Sequence, residues 1–288
     1  MTRVMRVVQT RSELATVLDS ADRQAVRVVV PTMGALHDGH ARLVEYAREH
    51  VGENGIVIVT VFVNPTQFAA NEDFDRYPRS LDADVDLCTR NGADLVFAPD
   101  VTQMYPMGET QVSVDPGPVG SLIEGAVRPG HFRGVLTVVN KLFNLTRAQV
   151  AFFGEKDYQQ LVLIRRMARD LSMEVDVRGV PTVREPDGLA MSSRNRYLDE
   201  AERRQAKLIP DAIDIGRSTA QQGGSALDVV ADVEKFFDEH NVTFDYVVVT
   251  DPDLGQAPSS GEGRLIMAAR IGSVRLLDNA SISLGGSA

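Results

Sequence analysis

The chain has 288 residues, of which 43% are hydrophobic, and a formal net charge of −10. These values are typical of a folded globular protein long enough for two domains, and they exclude a disordered chain. The acidic balance excludes broad nucleic-acid binding because no lysine- or arginine-rich run opposes it, and the single cysteine, Cys88, excludes an intramolecular disulfide and cysteine-based zinc clusters.

The sequence predicts a cytoplasmic location without membrane contact. Residues 1–20 carry charges throughout and contain no apolar core of the kind that an export signal needs. The longest apolar run, residues 56–63, is too short to span a bilayer. A single cysteine also fits a reducing compartment.

The first part of the chain alternates between predicted helices and strands. A helix over residues 12–24 precedes a strand over residues 26–30, whose residues are nearly all β-branched, as in a parallel strand buried on both faces. The later predicted elements are a strand over 56–63, a helix over 81–90, a strand over 94–98, a short strand over 111–114, a helix over 131–146, a strand over 150–153, a helix around 161–168 and a strand over 174–180. The alternation predicts the α/β class, with a doubly wound, Rossmann-like parallel sheet in a domain of residues 1–182.

The pattern changes after Pro181. Two helices, over residues 199–222 and 226–240, precede three segments, 244–250, 264–270 and 275–276, that alternate or cluster as antiparallel strands do. Helices followed by strands predict a smaller α+β C-terminal domain over residues 183–288.

One stretch between a strand and a helix combines two glycines with two histidines: Pro31-Thr32-Met33-Gly34-Ala35-Leu36-His37-Asp38-Gly39-His40. A helix start presents unpaired N–H groups and a positive dipole end, which favour phosphate. His37 and His40 are three positions apart, so their side chains can point to one side. A purely structural histidine pair and a zinc site are the alternatives. The His-x-x-Glu-x-x-His helix pattern of a zinc site is absent, no cysteine is available in this stretch, and three-residue histidine spacing alone is weak evidence for a metal.

Three further segments carry polar side chains at predicted strand ends or at the domain boundary. The loop Asn64-Pro65-Thr66-Gln67-Phe68 leaves the strand over 56–63, so we expect Asn64 and Gln67 to face the same crevice as His37. Lys156 and Gln160 follow the strand over 150–153, where a mobile cation suits a triphosphate, although an exposed lysine and a capping Asp157 are the plain alternative. Near residue 183, Met191-Ser192-Ser193-Arg194 offers several donors for phosphate, or else a polar linker.

His37-Asp38-Gly39-His40 is similar to the His-x-Gly-His signature of the nucleotidylyltransferase superfamily. Longer strings resemble the pantothenate synthetase family. They are the stretch from Pro31 to His37, Phe62-Val63-Asn64-Pro65-Thr66-Gln67-Phe68, Phe153-Gly154-Glu155-Lys156-Asp157-Tyr158-Gln159-Gln160, and Gly188-Leu189-Ala190-Met191-Ser192-Ser193-Arg194-Asn195-Arg196-Tyr197-Leu198.

The resemblance implies a pantoate:β-alanine ligase of pantothenate and coenzyme A biosynthesis. ATP would be cleaved to AMP and pyrophosphate through a pantoyl adenylate, with Mg²⁺ accompanying ATP. It also implies a homodimer. Protein ligands of the metal stay open, since Asp84 is present but Ala83 stands where relatives often have a second acidic residue.

The resemblance further implies roles for individual residues. The catalytic residues would be His37, His40 and Lys156, with His37 as proton donor. The ATP-binding residues would be Met33, His37, His40, Gly154, Lys156, Asp157, Val183, Met191, Ser192, Ser193 and Arg194, with the small domain closing over the phosphates. Gln67 and Gln160 would bind pantoate, Gln67 would also bind β-alanine, and Phe62, Val135 and Val138 would form an apolar wall against the pantoate methyl groups.

Three other functions remain open on the residues alone. A cytidylyl- or adenylyltransferase keeps the nucleotide on its product, but the two glutamines suit a small polar acid better than a phosphorylated acceptor. An aminoacyl-tRNA synthetase shares the histidine signature, although the acidic charge opposes it. A non-catalytic nucleotide-binding regulator would bind ATP without turnover.

Overall fold

The computed structural model describes residues 5–69, 72, 74–108 and 110–285. The chain divides into two compact units. The first comprises Met1–Glu155 and Leu163–Pro181, and the second comprises Lys156–Val162 and Thr182–Ala288. Lys156–Val162 therefore groups with the second unit although it precedes residue 183. None of the helices in the described part of the chain has the length and hydropathy that a bilayer span requires.

The first unit contains a six-stranded sheet in which all neighbouring strands are parallel. Its strands, in chain order, are β1 (Arg6–Val8), β2 (Arg27–Thr32), β3 (Ile56–Val61), β4 (Leu95–Phe97), β5 (Val150–Gly154) and β6 (Asp176–Val180). Their order across the sheet is β1-β4-β3-β2-β5-β6. The predicted α/β class is confirmed.

Helices connect these strands. They are α1 (Arg11–Ser20), α2 (Asp38–Val51), α3 (Leu81–Arg90), α4 (Val101–Met104), α5 (Glu124–Val127), α6 (His131–Thr146) and α7 (Tyr158–Asp170). Short 3₁₀ turns cover Pro65–Gln67, Pro118–Ser121 and Glu155–Asp157. The α3 and α6 bounds agree with the sequence prediction, and the stop signal Asn91-Gly92 follows α3.

The strand order reverses at β2, because β3 lies on one side of it and β5 on the other. Chain connections leave the sheet in opposite directions at such a point, which opens a crevice beyond the carboxyl ends of the two strands. The turn after β2 and the turn after β5 both lie at this edge. These turns carry the first motif and Gly154.

Successive side chains of β2 face opposite sides of the sheet. Val28 and Val30 are fully buried in a cluster that includes Leu43 and Val44 of α2. Val29 is equally buried on the other side, where α6 packs against β2. Burial on both faces explains why almost every residue of this strand is apolar and β-branched.

The second unit is built on an antiparallel sheet of three strands, β7 (Thr243–Thr250), β8 (Gly261–Ile271) and β9 (Val274–Leu284), in the order β7-β8-β9. Helices α8 (Glu200–Gln205), α9 (Leu208–Gln221) and α10 (Ala226–Glu239) and a 3₁₀ turn at Ser193–Tyr197 complete it. Side chains of α9, α10 and the sheet form one apolar core.

Several details differ from the sequence prediction, among them α1, which ends at Ser20, and β9, which spans Val274–Leu284. The helix expected over 199–222 is two helices, α8 and α9, and Pro210 lies in the first turn of α9, where its missing N–H costs no hydrogen bond. The strand expected over 111–114 is absent from the described residues of that segment. Strand β1 was missed because three residues at the sheet edge carry too little pattern to predict.

Candidate functional site

The backbone of the turn between β2 and α2 is fixed by hydrogen bonds to a buried carboxylate. Gly34 has φ +84° and Ala35 has φ +52°, so two consecutive residues are left-handed. The N–H groups of Ala35 and Leu36 donate to the two carboxylate oxygens of Asp84, at 3.0 and 2.7 Å. Asp84 is 2% exposed. A buried carboxylate needs hydrogen-bond donors of this kind. Here each oxygen of Asp84 accepts from a backbone N–H group, which is a structural role rather than that of a metal ligand.

The two histidines of the first motif cap helix α2. His37 is the N-cap residue, and its Nδ1 accepts a hydrogen bond from the Gly39 N–H at 3.1 Å. His40 is the third residue of the helix, and its Nδ1 accepts from the His37 N–H at 3.3 Å. The ring centroids are 4.2 Å apart. Two imidazoles thus form a reciprocal capping box in which Ser or Thr and Glu are the usual partners.

This cap fixes the tautomer of both rings. A ring nitrogen that accepts a hydrogen bond carries no proton, so the hydrogen of each neutral imidazole lies on Nε2. Each ring therefore carries its N–H on Nε2, near the positive end of α2. Such a donor can hydrogen-bond a phosphate oxygen or give a proton to a leaving group.

The side chain of Gln67 is held by its neighbours in the first unit. Its Nε2 donates to the sulfur of Met33 at 3.0 Å, and its Oε1 accepts from Asn64 Nδ2 at 3.1 Å. The sequence-predicted residues Met33 and Gln67 are therefore in direct contact. The amide orientation is set before any ligand arrives.

Asn64 has a structural role that the sequence analysis missed. Its side chain is 1% exposed, and its Oδ1 accepts from the hydroxyls of Tyr105 and Thr66, at 2.7 and 2.9 Å. Its Nδ2 also donates to the Gly134 carbonyl at 3.3 Å. The prediction that Asn64 faces the same crevice as His37 is wrong, because the side chain is buried and its hydrogen bonds fix the loop that carries Gln67.

Three residues outside the predicted set fix the backbone of Gln67. Its carbonyl accepts from His131 Nδ1 at 2.8 Å and from Arg128 Nη2 at 3.3 Å. At Gly134 a Cβ would lie 2.2 Å from the Thr66 carbonyl oxygen, so only glycine allows this loop to lie on α6. No local pattern signals these contacts, since they join segments far apart in the chain.

The hydrogen bonds of His131 require a neutral ring. Its Nδ1 donates to a carbonyl, and its Nε2 lies 3.2 Å from Arg128 Nη1, which can only donate. Burial, followed by the charge of Arg128, lowers the pKa of His131 to about 4. The guanidinium also forms a two-pronged ion pair with Glu72, at 2.6 Å for each contact.

In the second unit, Lys156 and Asp157 lie in the 3₁₀ turn that leads into α7. The Lys156 ammonium is 3.8 Å from the Asp157 carboxylate, and the lysine side chain is 19% exposed. Gln160, in the first turn of α7, is partly exposed. The 3.8 Å separation is long for a hydrogen-bonded pair, so Asp157 does not lock the ammonium in one position.

The segment around residue 190 is a hairpin followed by a capped turn. Arg184 and Ala190 form an antiparallel bridge, and the Met191 N–H donates to the Val183 carbonyl at 2.9 Å. The Ser192 hydroxyl caps the turn Ser193–Tyr197 by accepting from the Arg194 N–H at 3.2 Å. The hairpin thus pairs Val183 with Met191, two residues that are predicted to bind the nucleotide. The sequence Ser192-Ser193-Arg194 follows directly at the end of the hairpin.

A family model described as pantoate-beta-alanine ligase matches residues 6–281. The chain belongs to the pantoate-β-alanine ligase family. The resemblance seen in the motifs is confirmed, and the chain is an enzyme of the ligase class that serves pantothenate biosynthesis.

Curated relatives match over nearly the whole chain. Pantothenate synthetase from Nocardioides sp. is 53% identical over 285 residues, which cover 96% of this chain and 85% of that protein. The enzyme of the same name from Salinispora arenicola is 50% identical over 280 residues, covering 96% and 98%.

Solved structures of the family share the fold. Pantothenate synthetase from Thermus thermophilus is 47% identical with a TM-score of 0.88, over 96% of this chain and 99% of that one. Pantoate-β-alanine ligase from Francisella tularensis, crystallised with β,γ-ATP and β-alanine, is 31% identical with a TM-score of 0.79, over 96% and 97%.

The residues predicted for this ligase divide between the two units. Those in the first unit are Met33, His37, His40, Gln67 and Gly154. Those in the second unit are Lys156, Asp157, Gln160, Val183, Met191, Ser192, Ser193 and Arg194. Phe62, Val135 and Val138 are buried in the first unit. Their assignment to ligands stays a prediction.

Replacing His37 separates capping from chemistry. His37→Asn keeps a side-chain acceptor at the N-cap but removes the Nε2–H donor, so we expect native stability with adenylation lowered by about 10²–10³-fold. His37→Ala should lose about 1 kcal/mol of stability as well. Urea unfolding and single-turnover adenylation measure the two effects. Full activity in the asparagine variant would contradict a donor role.

The buried His131 makes stability depend on pH. The unfolded chain takes up a proton near pH 6.5, whereas the folded chain keeps this ring neutral down to about pH 4. The unfolded state therefore binds more protons in this window, and stability falls as the pH falls through it. Between pH 7 and about pH 4.5 the free energy of unfolding should fall by about 2.5 kcal/mol less in His131→Asn than in wild type.

Urea unfolding at the two pH values measures that difference. His131→Gln, a second replacement that cannot titrate at this position, should show the same reduced pH dependence as His131→Asn. Identical pH profiles for wild type and His131→Asn would show that the ring is not held neutral by the fold.

Proposed function

We propose that this chain condenses (R)-pantoate with β-alanine to give pantothenate, with ATP cleaved to AMP and pyrophosphate. The observation that carries the proposal is the histidine capping box, which presents two Nε2–H donors at a helix start on the crevice edge of the sheet. Membership of the pantoate-β-alanine ligase family supports the choice of substrates. The structure of the Francisella tularensis relative in complex with β,γ-ATP and β-alanine supports it further.

The reaction requires an activated acid. An amine that attacks a free carboxylate would have to displace one of its oxygens, which is a very poor leaving group. The pantoate carboxylate attacks the α-phosphorus of ATP in line, the bond to the β-phosphate oxygen breaks, and pyrophosphate leaves. The β-alanine amine then attacks the acyl carbon of pantoyl adenylate, loses a proton, and AMP departs. The enzyme supplies no nucleophile, so Ser192 and Ser193 need no neighbouring base.

In the first unit, the histidines act on the phosphates. The Nε2–H groups of His37 and His40 stabilise charge on the departing pyrophosphate, with His37 as its proton donor. The carboxylate of Asp84 keeps the preceding turn in its left-handed path, so that the backbone of Met33 and the capping histidines keep a constant position. Gly154 lines the nucleotide at the neighbouring strand end.

In the second unit, Lys156 supplies a cation for the triphosphate, and Ser192, Ser193 and Arg194 grip it as the small domain closes. Backbone groups of Asp157, Val183 and Met191 contact the nucleotide. These residues hold charge that grows during pyrophosphate release. Catalysis therefore depends on position and electrostatics rather than on covalent chemistry.

Gln67 and Gln160 bind the hydroxyls and carboxylate of pantoate, and Gln67 also contacts β-alanine. The fixed amide of Gln67, held by Met33 and Asn64, supports a polar substrate of one defined shape. A nucleotidylyltransferase would need cations for a phosphorylated acceptor at this position. The glutamines therefore favour the ligase.

Magnesium, assembly and location remain proposals. Mg²⁺ would enter with ATP. The described residues contain no group of three or more His, Cys, Asp or Glu side chains that could hold a metal ion. A homodimer is proposed from the family resemblance. A cytoplasmic location is proposed because a chain with a single cysteine fits a reducing compartment.

Isotope exchange tests the function directly. Labelled pyrophosphate should exchange into ATP when pantoate is present and β-alanine is absent, because the adenylate forms reversibly. Adding β-alanine should then release pantothenate and AMP. Exchange with another acid but not with pantoate would overturn the substrate, and ATP binding without any exchange would favour the regulator.

Two substitutions separate the cation from substrate binding. Lys156→Ala should lower the adenylation rate by about 10²–10³-fold, whereas Gln160→Ala should mainly raise the pantoate KM, by about tenfold. Steady-state kinetics at saturating ATP measure both. Lys235→Ala, at an exposed lysine of α10, should leave both constants unchanged. A wild-type adenylation rate in Lys156→Ala would contradict the role of the cation.

A further inference from the structure

Strand β9 carries two adjacent polar residues that are buried on opposite faces of its sheet. Val274, Leu276, Ala280 and Ile282 face the apolar core, and Asp278 occupies the position between them in this alternation. Asn279 therefore faces the other side. Asp278 is 1% exposed and Asn279 is 3% exposed. Neither residue belongs to the predicted site.

Asn279 holds the backbone of Lys156. Its Nδ2 donates to the Lys156 carbonyl at 2.8 Å. Its Oδ1 accepts from Arg264 Nε and Nη2, at 2.9 and 2.5 Å. The guanidinium of Arg264 stacks on the ring of Tyr158 at 3.9 Å, and the Tyr158 hydroxyl donates to the Pro252 carbonyl at 2.9 Å. The start of α7 is thus fixed to the small domain at several points.

Asp278 holds the hairpin that leads to the Ser-Ser-Arg sequence. Its two oxygens accept from Arg184 Nη1 and Nη2, at 2.7 and 2.9 Å. The same guanidinium donates to the Gly188 carbonyl at 2.9 Å, across the hairpin. The hydrogen bond to Asp278 raises the pKa of Arg184, which supports a persistent ion pair. Strand β9 also packs against the turn Ser193–Tyr197.

We propose that Asp278 and Asn279 are positioning residues that set the distance between Lys156 and the phosphate-binding hairpin. Two consecutive residues of one strand hold the two segments, so the segments keep a fixed spacing as the small domain moves. This inference rests on the proposed function, because it assigns both segments to the triphosphate. The small domain then positions the cationic side chains that bind the triphosphate, and its strand β9 contributes to adenylation by holding them in place.

The physical reason is the cost of leaving buried polar groups without partners. If Nδ2 of Asn279 is lost, the Lys156 carbonyl loses the donor that ties it to β9, and the turn Glu155–Asp157 is no longer held at that point. Electrostatic catalysis depends on where the charged group lies, since a displacement of a catalytic group by about 1 Å can lower the rate by about 10²-fold. Binding of pantoate would be affected far less.

Asn279→Asp is the sharpest test because it is isosteric. The new carboxylate still accepts from Arg264 but cannot donate to the Lys156 carbonyl. We expect at least a tenfold lower kcat for pantoate-dependent pyrophosphate exchange, with the pantoate KM changed less than threefold and a cooperative thermal unfolding transition that shows the variant to be folded. Wild-type kcat in this variant would overturn the inference.

Asn241→Asp is the matched control. It makes the same chemical change at an exposed residue of the same unit, and we expect wild-type exchange. If the wild-type enzyme itself shows no pantoate-dependent exchange, the proposed function fails. An active wild type with an unaffected Asn279→Asp variant overturns the positioning role alone.

A double-mutant cycle distinguishes positioning from general destabilisation. In the Lys156→Ala background, Asn279→Asp should lower exchange by less than threefold, because the group that it positions is already gone. Additive losses of tenfold or more in both backgrounds would show that Asn279 acts on something other than Lys156.

Arg184→Lys tests the Asp278 half of the inference, since Asp278→Asn leaves a half-buried guanidinium without its partner and risks misfolding. Lysine keeps the charge but cannot bridge Asp278 and the Gly188 carbonyl with one rigid fork. We expect at least a fivefold lower exchange kcat, with a native circular dichroism spectrum. Unchanged kcat in this folded variant would remove Asp278 from the proposal.

Discussion

The turn between β2 and α2 passes through two left-handed residues, and the buried carboxylate of Asp84 binds the N–H groups that this path turns inward. Without that carboxylate the turn would leave two backbone donors buried without partners, which is costly. The start of α2 depends on this turn, and so does the direction of His37 and His40. The contact between the Asp84 carboxylate of α3 and the turn after β2 therefore positions both histidines of the first unit.

The histidines serve structure and chemistry with different atoms of the same ring. Nδ1 closes the capping box, while Nε2 carries the hydrogen that a phosphate needs. A serine or threonine could cap the helix but could not donate at that distance. A similar division of roles holds for Gln67, whose backbone is fixed by His131 and Arg128 while its side-chain amide is oriented by Met33 and Asn64.

The second unit shows how a small α+β scaffold can support a phosphate site. Strand β9 places a charged residue at a core-facing position and an amide on the opposite face, and each makes a hydrogen bond to a segment that contains residues the family resemblance assigns to ATP. The broken alternation of β9 is visible in the sequence as Asp278 among apolar residues. Its partners are not visible there, because Arg184 and Lys156 are far away in the chain.

Local sequence was sufficient to predict the α/β class, the strand and helix around the first motif, and the family, because these depend on periodicity and on contiguous strings of residues. Only the folded chain reveals that Asp84 holds a turn, that Asn64 is buried, and that Gly134 must lack a side chain where the Gln67 loop lies on α6. These roles arise from contacts between residues that are distant in the chain. Local pattern carries no record of them, since hydrogen bonding and close packing depend on position in space.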